Sequence, residues 1–312
     1  MTIVGIEGGF SRDHLVNTVR GARFDVPGGP GTYAALAAAV TLRWLRGDTA
    51  DFERGVRAFG AGADDGIVKV LTGASIIDVS WLPVGEAPKL WILTSEAGRR
   101  IVSAERSGGH ELGGGVVEYG PEPTPPAGFL SGLDALLRCA PHEPSLSVAH
   151  HTLVAVDPDQ RQIAAHGWSY LEGLARTATL FLPSRVQLNQ LHSDPMLAAE
   201  HLRERTGRAV VARADADGSF VLPVTGEIWH VPAAATAVTD TTGAGDSHAA
   251  ALVAALASPE GRHDLTRCAA IASVVAALTV SDWGPQALVD ATTAGLGDID
   301  AAISRLAITQ FH

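Results

Sequence analysis

A chain of 312 residues with 46% hydrophobic residues can bury a large core, as one big α/β domain or two smaller ones, and is too apolar to read as disordered. Its net charge of −11, with no block of Lys or Arg, argues against nonspecific binding to nucleic acid or a membrane surface. Two cysteines without a C-x-x-C spacing, no basic-plus-apolar leader and no apolar run of spanning length give the expectation of a reduced, cytoplasmic protein without a thiol zinc site.

Residues 2–6 (TIVGI) read as a short buried strand running into a loop at Gly8 and Gly9. Alternation returns over 11–16, around Asp13. The segment 24–32 (FDVPGGPGT) places Gly28 and Gly29 where a loop becomes the N-terminus of an Ala-rich helix over about 33–45. That junction suits polar ligand groups, and equally an ordinary Pro-Gly turn capped by Thr32. A strand at 56–60 and a helix at 67–72 follow. The texture then turns β-prone over 76–84 and 89–102, with Trp81, Trp91 and a turn at 96–98, which predicts a hairpin or small antiparallel sheet. Glycine-rich stretches at 107–109 and 113–115 bracket a loose segment, followed by a strand at 116–119 and a Pro-rich loop to Gly128.

The second half alternates. A helix is predicted over 129–139, then strands at 153–156, 179–182 and 209–212 are separated by helices near 168–176 and 195–205. Such order indicates a parallel sheet with helices on both faces. Segments 219–222 and 228–231 read as a hairpin over Thr225 and Gly226, and an apolar helix over 265–280 ends in SDWGP at 281–285. No internal repeat or interdomain linker is visible, so the β-rich stretches are expected to form an appendage on one α/β core.

The most informative stretch is 240–246 (DTTGAGD), followed at once by a small-residue run over 247–256. Gly243, Ala244 and Gly245 allow a tight turn and close approach to their N–H groups. The run behind them has strong helix propensity, so the turn feeds a helix start whose free amides and positive dipole end attract anions. A carboxylate at Asp246 would repel phosphate, unless it meets an alcohol while the amides hold the phosphoryl group that the alcohol receives. The pattern reads as a phosphotransfer site.

This motif with its Ala-rich helix resembles, nearly residue for residue, the C-terminal signature of the ribokinase-like (PfkB-type) carbohydrate kinases, and the similarity extends more loosely over nearly the whole chain. The resemblance implies a three-layer α/β/α core with a mainly parallel sheet plus a small β-sheet lid. It implies one kinase domain over 1–312, with lid strands from about 12–28 and 76–103. It also implies an ATP-dependent phosphotransferase acting on a hydroxyl of a sugar or related polyol. Asp246 would be the general base, with Gly243, Ala244 and Gly245 as the anion hole. Asp13, Gly28 and Gly29 would bind the alcohol, and Asp215, Gly218, Thr242, Gly243, Gly245 and Gly284 would lie on the nucleotide side. Asp240 and Thr242 match the region where many relatives hold a monovalent cation such as K⁺, although a loop-capping Asp240 fits equally well. No Gly-x4-Gly-Lys-Ser/Thr loop or protein-kinase motif set competes with this reading.

The chain departs from the family pattern in two places. The metal-associated Asn-x-x-Glu falls at 184–187, where Ser184 and Gln187 stand, so a carboxylate beside hydrated Mg²⁺ is replaced by an amide. Asp157 is a candidate to compensate, and also reads as a plain strand-end residue. Asp215 stands where the family commonly has Gly. His248 reads as a packed helix residue, and His150 and His151 lack a ligand-spaced partner. Trp81 and Trp91 suit stacking on a ligand or sheet packing, and Arg99 and Arg100 suit a phosphate or solvent. A nucleoside kinase of the same fold is the alternative enzyme. A catalytically weak sugar- or nucleotide-binding regulator is the alternative of another class. Expected partners are ATP with Mg²⁺, a small alcohol and a second copy through the lid edge, with no nucleic acid or membrane.

Overall fold

Strands that form the middle of the structure are short, apolar and closed by a charged residue or a charged–Cys pair: Val4–Glu7, Ala135–Cys139, Leu153–Asp157 and Ala209–Arg213. The computed structural model describes residues 2–46, 55–95, 98–103, 123–141, 146–261, 264–294 and 296–311. These four strands sit in a large sheet whose order is Thr309–Phe311, Ile228–Val231, Ser219–Leu222, Ala209–Arg213, Leu180–Phe181, Leu153–Asp157, Ala135–Cys139, Val4–Glu7, Val56–Phe59, Ile77–Asp78. Pairing is parallel from Ala209–Arg213 to Ile77–Asp78 and antiparallel across the other three strands.

Alternate strand residues feed two hydrophobic clusters, as the period-2 geometry of a strand requires. Ala155 and Val211 join the helices Gly29–Arg46, Ala244–Ala257 and Leu265–Val280 on one face. Val154, Val156, Val210 and Ala212 join Gln160–His166, Trp168–Leu174 and Pro195–Thr206 on the other. The result is three layers, helix–sheet–helix. Ala34 to Ala39 and Ala249 to Ala251 are fully buried, and such small side chains allow the first face's helices to approach closely. Among the described residues, no helix is long and apolar enough to cross a membrane.

A second, four-stranded sheet runs in the order Gly21–Gly28, Ser11–Asn17, Lys89–Ser95, Gly98–Ser103. Its inner residues Asp13, Leu15, Leu90 and Ile92 are buried, while Lys89, Trp91 and Leu93 on the alternate face are exposed. The stretch expected to start this sheet at about 76 belongs elsewhere. Ile77–Asp78 pairs in parallel with Val56–Phe59 at the edge of the large sheet. Trp81 packs edge-on against Phe129, with Arg57 over its ring, so it is a residue of the main body.

The predicted helix over 129–139 is also corrected: a single turn at Ala127–Leu130 precedes the strand Ala135–Cys139. All five positions of that strand are buried, so it carries no alternation to mark it as a strand. The Ala-rich helix starts at Gly29 rather than about 33. Thr32 therefore lies inside it, its hydroxyl donating to Gly28 O at 2.6 Å, and does not cap it. The helix over 265–280 and the hairpin at 219–231 stand where the pattern put them. The predicted strand at 116–119 and its flanking glycine stretches lie outside the described residues.

Candidate active site

The carboxyl ends of the parallel strands bring together Glu7, Arg138, Asp157 and Arg213, the edge at which open α/β sheets hold their ligands. Glu7 and Arg138 neutralise each other through a two-pronged buried pair, with Arg138 Nε to Glu7 Oε2 at 2.8 Å. Arg213 Nη2 lies 2.6 Å from Asp157 Oδ2, and both side chains are nearly buried, at 10% and 11% exposure.

The 243–245 turn enters at this same edge, with Gly243 in the turn itself and Ala244 and Gly245, expected in it as well, already in the first turn of the helix Ala244–Ala257. Gly243 has φ +77° and serves as N-cap of Ala244–Ala257, a left-handed conformation that favours glycine. Its α-carbon rests on the ring of Tyr33, where a Cβ would lie closer than 3.0 Å to three ring carbons. Tyr33, in the first Ala-rich helix, thus forms the bed on which the turn sits. Asp240 ties down Thr242, the residue just before the turn. Its Oδ1 accepts from Thr242 N at 3.1 Å and Thr242 Oγ1 at 2.9 Å, and its Oδ2 accepts from Gly284 N at 3.3 Å. Asp240 is therefore observed as a tether. Asp246 is half-buried on the first turn of the helix, among N–H groups that helix geometry leaves without intrahelical acceptors. Of these, Ala244 N makes a long bond of 3.4 Å to Thr241 O.

Arg213 closes the constellation. The nearest atom to a Cβ built at Gly245 is Arg213 Nη1, at 2.8 Å. Burial works against the guanidinium's charge, but Asp157 and then Asp246 more than restore it, holding its pKa above the ordinary arginine value. Burial, reinforced by Arg213, pushes the His248 imidazole down to about 3. His248 is thus a neutral, packed ring in the first turns of the helix, unsuited to carry a proton near neutral pH.

On the small-sheet side, Asp13 and Gly28 meet. A Cβ on Gly28 would run into the Asp13 carboxylate, whose Oδ1 accepts from Ser11 Oγ at 2.7 Å. Gly29, at φ +81°, opens the helix that carries Tyr33, so the Asp13 corner and the 243–245 turn share one rigid element. Gly284 also faces this side, where a Cβ would stand 2.9 Å from Val26 and 3.6 Å from Leu15 of the small sheet. The neighbouring Trp283 ring lies under Arg23, 5.6 Å from its centroid.

The metal-side expectation fares differently. Gln187 is the third residue of a one-turn helix that Ser184 caps, and its Oε1 accepts from Ser184 N at 2.6 Å. Its Nε2 donates to Asp157 Oδ1 at 3.0 Å and Pro158 O at 2.6 Å. The amide is thus spent inside the protein, and the charge of Asp157 is spent on Arg213. These two residues do not fit the role of carboxylate ligands to a dication. Among the described residues, no group of three His, Cys, Asp or Glu side chains could hold a metal ion. His150 and His151 are exposed.

Asp215 and Gly218 form a four-residue turn joining two strands, with Gly218 N donating to Asp215 O at 3.1 Å. Asp215 is exposed at φ +55° and pairs with Arg185 at 3.7 Å. Gly218, at φ +90°, has no room for a side chain beside Pro232 and Ala233. Sequence reasoning missed Arg213 and Tyr33. A signal for Arg213 was present: an apolar strand ending in a charge, as in VGIE, ALLRC, LVAVD and AVVAR.

Residues 149–292 match the sequence pattern of a family described as pfkB family carbohydrate kinase. Over 173 residues the chain is 32% identical to the bifunctional protein HldE of Azorhizobium caulinodans, covering 50% of this chain and 33% of that one. The chain spans a third or less of the length of the curated relatives it matches. In fold it is similar to a putative ribokinase II of E. coli solved in complex with ATP and Mg²⁺, with TM-score 0.65 and 16% identity over 98% of this chain and 100% of that one. It is likewise similar to adenosine kinase from Sinorhizobium meliloti, with TM-score 0.63 and 18% identity over 93% and 98%.

Proposed function

We propose that this chain, a ribokinase-like kinase of the PfkB type, transfers the terminal phosphoryl group of ATP to a hydroxyl of a sugar or related polyol. The observation that carries the reading is Asp246, a half-buried carboxylate on a helix start whose turn lies on Tyr33 and is tethered by Asp240 through Thr242. The acceptor alcohol lies beside Asp13, Gly28 and Gly29, within the corner that the small sheet covers. Asp246 takes the hydroxyl proton, the alcohol oxygen attacks the terminal phosphorus, and ADP departs with the bridging oxygen. The amides of Gly243, Ala244 and Gly245 stabilise charge on the phosphoryl oxygens in flight. On this reading Thr242, Asp215 and Gly218 border the nucleotide through backbone, while Gly284, expected on that side, faces Val26 and Leu15 of the small sheet. Gln187 and Asp157 offer magnesium no open carboxylate, so magnesium would be held through the nucleotide phosphates, where it would neutralise their charge. Potassium has no assigned seat, since Asp240 and Thr242 form the tether.

A nucleoside acceptor is the second reading, favoured by the apolar inner face of the small sheet, where Leu15, Leu90 and Ile92 are buried and Val26 borders Gly284. Such a roof suits a base better than a run of hydroxyls. Two copies pair through the outer face of that sheet, where Phe24 and Trp91 remain 60% and 36% exposed in a cluster with His14. An ATP-consuming activity and the buried thiols Cys139 and Cys268 fit the cytoplasm.

A panel of sugars, polyols and nucleosides with ATP, magnesium and potassium, read by ADP release, tests the assignment. One acceptor class is expected to stimulate ADP release, and Asp246→Asn to lower kcat by about 10²–10⁴ while the nucleotide still binds. Full turnover in Asp246→Asn would refute the base; binding without turnover across the panel would favour a regulator.

A further inference from the structure

Arg213 is placed more like a working group than a structural one. It ends a buried strand, its backbone N–H donates to Pro183 O at 2.8 Å, and its side chain turns back over Gly245. A guanidinium offers five N–H donors in a fixed fork. Asp157 takes one arm at 2.6 Å, while Asp157's other oxygen is already occupied by Gln187 Nε2. Nε has no hydrogen-bond partner, and the second arm, Nη1, is the one that reaches Gly245. A lone buried ion pair costs more to desolvate than it returns unless its remaining donors are satisfied. Here the cation also feels Asp246, on the helix turn that faces the reacting groups. Where a carboxylate for the metal was expected, the chain holds the neutral Gln187, and where a metal-side Asp could have served, Arg213 neutralises it.

Resting on the kinase reading, we propose that Arg213 is a catalytic residue that meets the phosphoryl oxygens of the nucleotide at the 243–245 turn, supplying from the protein positive charge that Gln187 and Asp157 do not recruit as a metal ion. The phosphate oxygens accept from its free arm while Asp157 and Gln187 fix the plane of the fork. The nucleotide should therefore hold on to this protein even when magnesium is removed.

Calorimetric titration with ADP and with a non-hydrolysable ATP analogue, in magnesium and in excess EDTA, tests this directly. Native protein should bind in EDTA, and Arg213→Met should weaken that metal-free binding about tenfold or more. Magnesium should recover part of the loss, so the ratio of metal-free to metal-bound Kd rises in the variant. Removing one member of a buried pair can unfold a protein, so the neutral double variant D157N/R213M and the charge-keeping Arg213→Lys are titrated alongside, each checked by thermal melting. The double variant should bind as weakly as Arg213→Met, and Arg213→Lys should fall between it and native. Metal-free binding in a folded Arg213→Met or double variant within twofold of native overturns the role of Arg213, as does native binding that requires magnesium. A native chain that binds neither nucleotide under any condition overturns the kinase reading itself.

Discussion

Replacing Gly243 with alanine asks two separable things of the structure. The backbone must hold φ +77°, which costs an L-residue about 1–2 kcal/mol. A methyl group must also fit where three carbons of Tyr33 lie closer than 3.0 Å, inside the 3.4 Å at which ordinary contact begins. Tyr33 is buried beneath the helix that starts here, so the ring cannot swing into solvent, and overpacking of this kind costs about 1–3 kcal/mol. Together the expectation is a loss of roughly 2–5 kcal/mol, read by urea denaturation. Activity should fall by about 10²–10³ in kcat, because the turn amides tilt away from the phosphoryl group. Tyr33→Leu makes room at the expense of its own packing. The double variant should therefore lose less than the sum of the singles, by about 1–3 kcal/mol. If Gly243→Ala has native stability, or if the two losses add to within about 0.5 kcal/mol, the Tyr33 bed is not what shapes the turn.

Other consequences can be checked independently. Gln187→Glu removes the donor that serves Asp157 and Pro158 and sets a second carboxylate against Asp157, so it should destabilise the protein by about 1–3 kcal/mol, partly reversed by magnesium in a thermal-shift assay. An unshifted melting temperature would refute that wiring. His248 stays neutral in the fold down to about pH 3, whereas in the unfolded chain it takes up a proton near its ordinary value of 6.5. Its contribution is complete above that ordinary value and is lost as pH falls below it. Between pH 7.5 and 5.5 this should cost on the order of 1 kcal/mol, and His248→Phe should remove that share of the acid sensitivity. Identical pH profiles for the two proteins would contradict the burial argument. Trp91→Glu should convert a dimer to monomers in sedimentation velocity, and a native chain that sediments as a monomer at micromolar concentration ends the pairing proposal.

The sequence by itself determined what is local. Small residues at Gly243 and Gly245 before an Ala-rich run could only be a tight turn entering a helix, and Asp246 stands on that first turn because of its place in the chain. The alternation of apolar strands with helices likewise announced the parallel sheet, except where Ala135–Cys139, buried on both faces, carried no period to distinguish strand from helix. Tertiary structure decided everything that depends on distant segments meeting. Tyr33 lies 210 positions from Gly243 by the numbering, and nothing in its local pattern says that its ring is the bed of the turn. Trp81 has a strand-like neighbourhood, yet packs on Phe129, because the short strand just before it, Ile77–Asp78, pairs with the large sheet. The fate of Asp157 was settled by Arg213, a cation from another strand, and that of Gln187 by its bonds to Ser184, Asp157 and Pro158. Residue types fix which charges a chain owns; only the fold decides which of them cancel, because an electrostatic interaction depends on separation and on the water excluded between the partners.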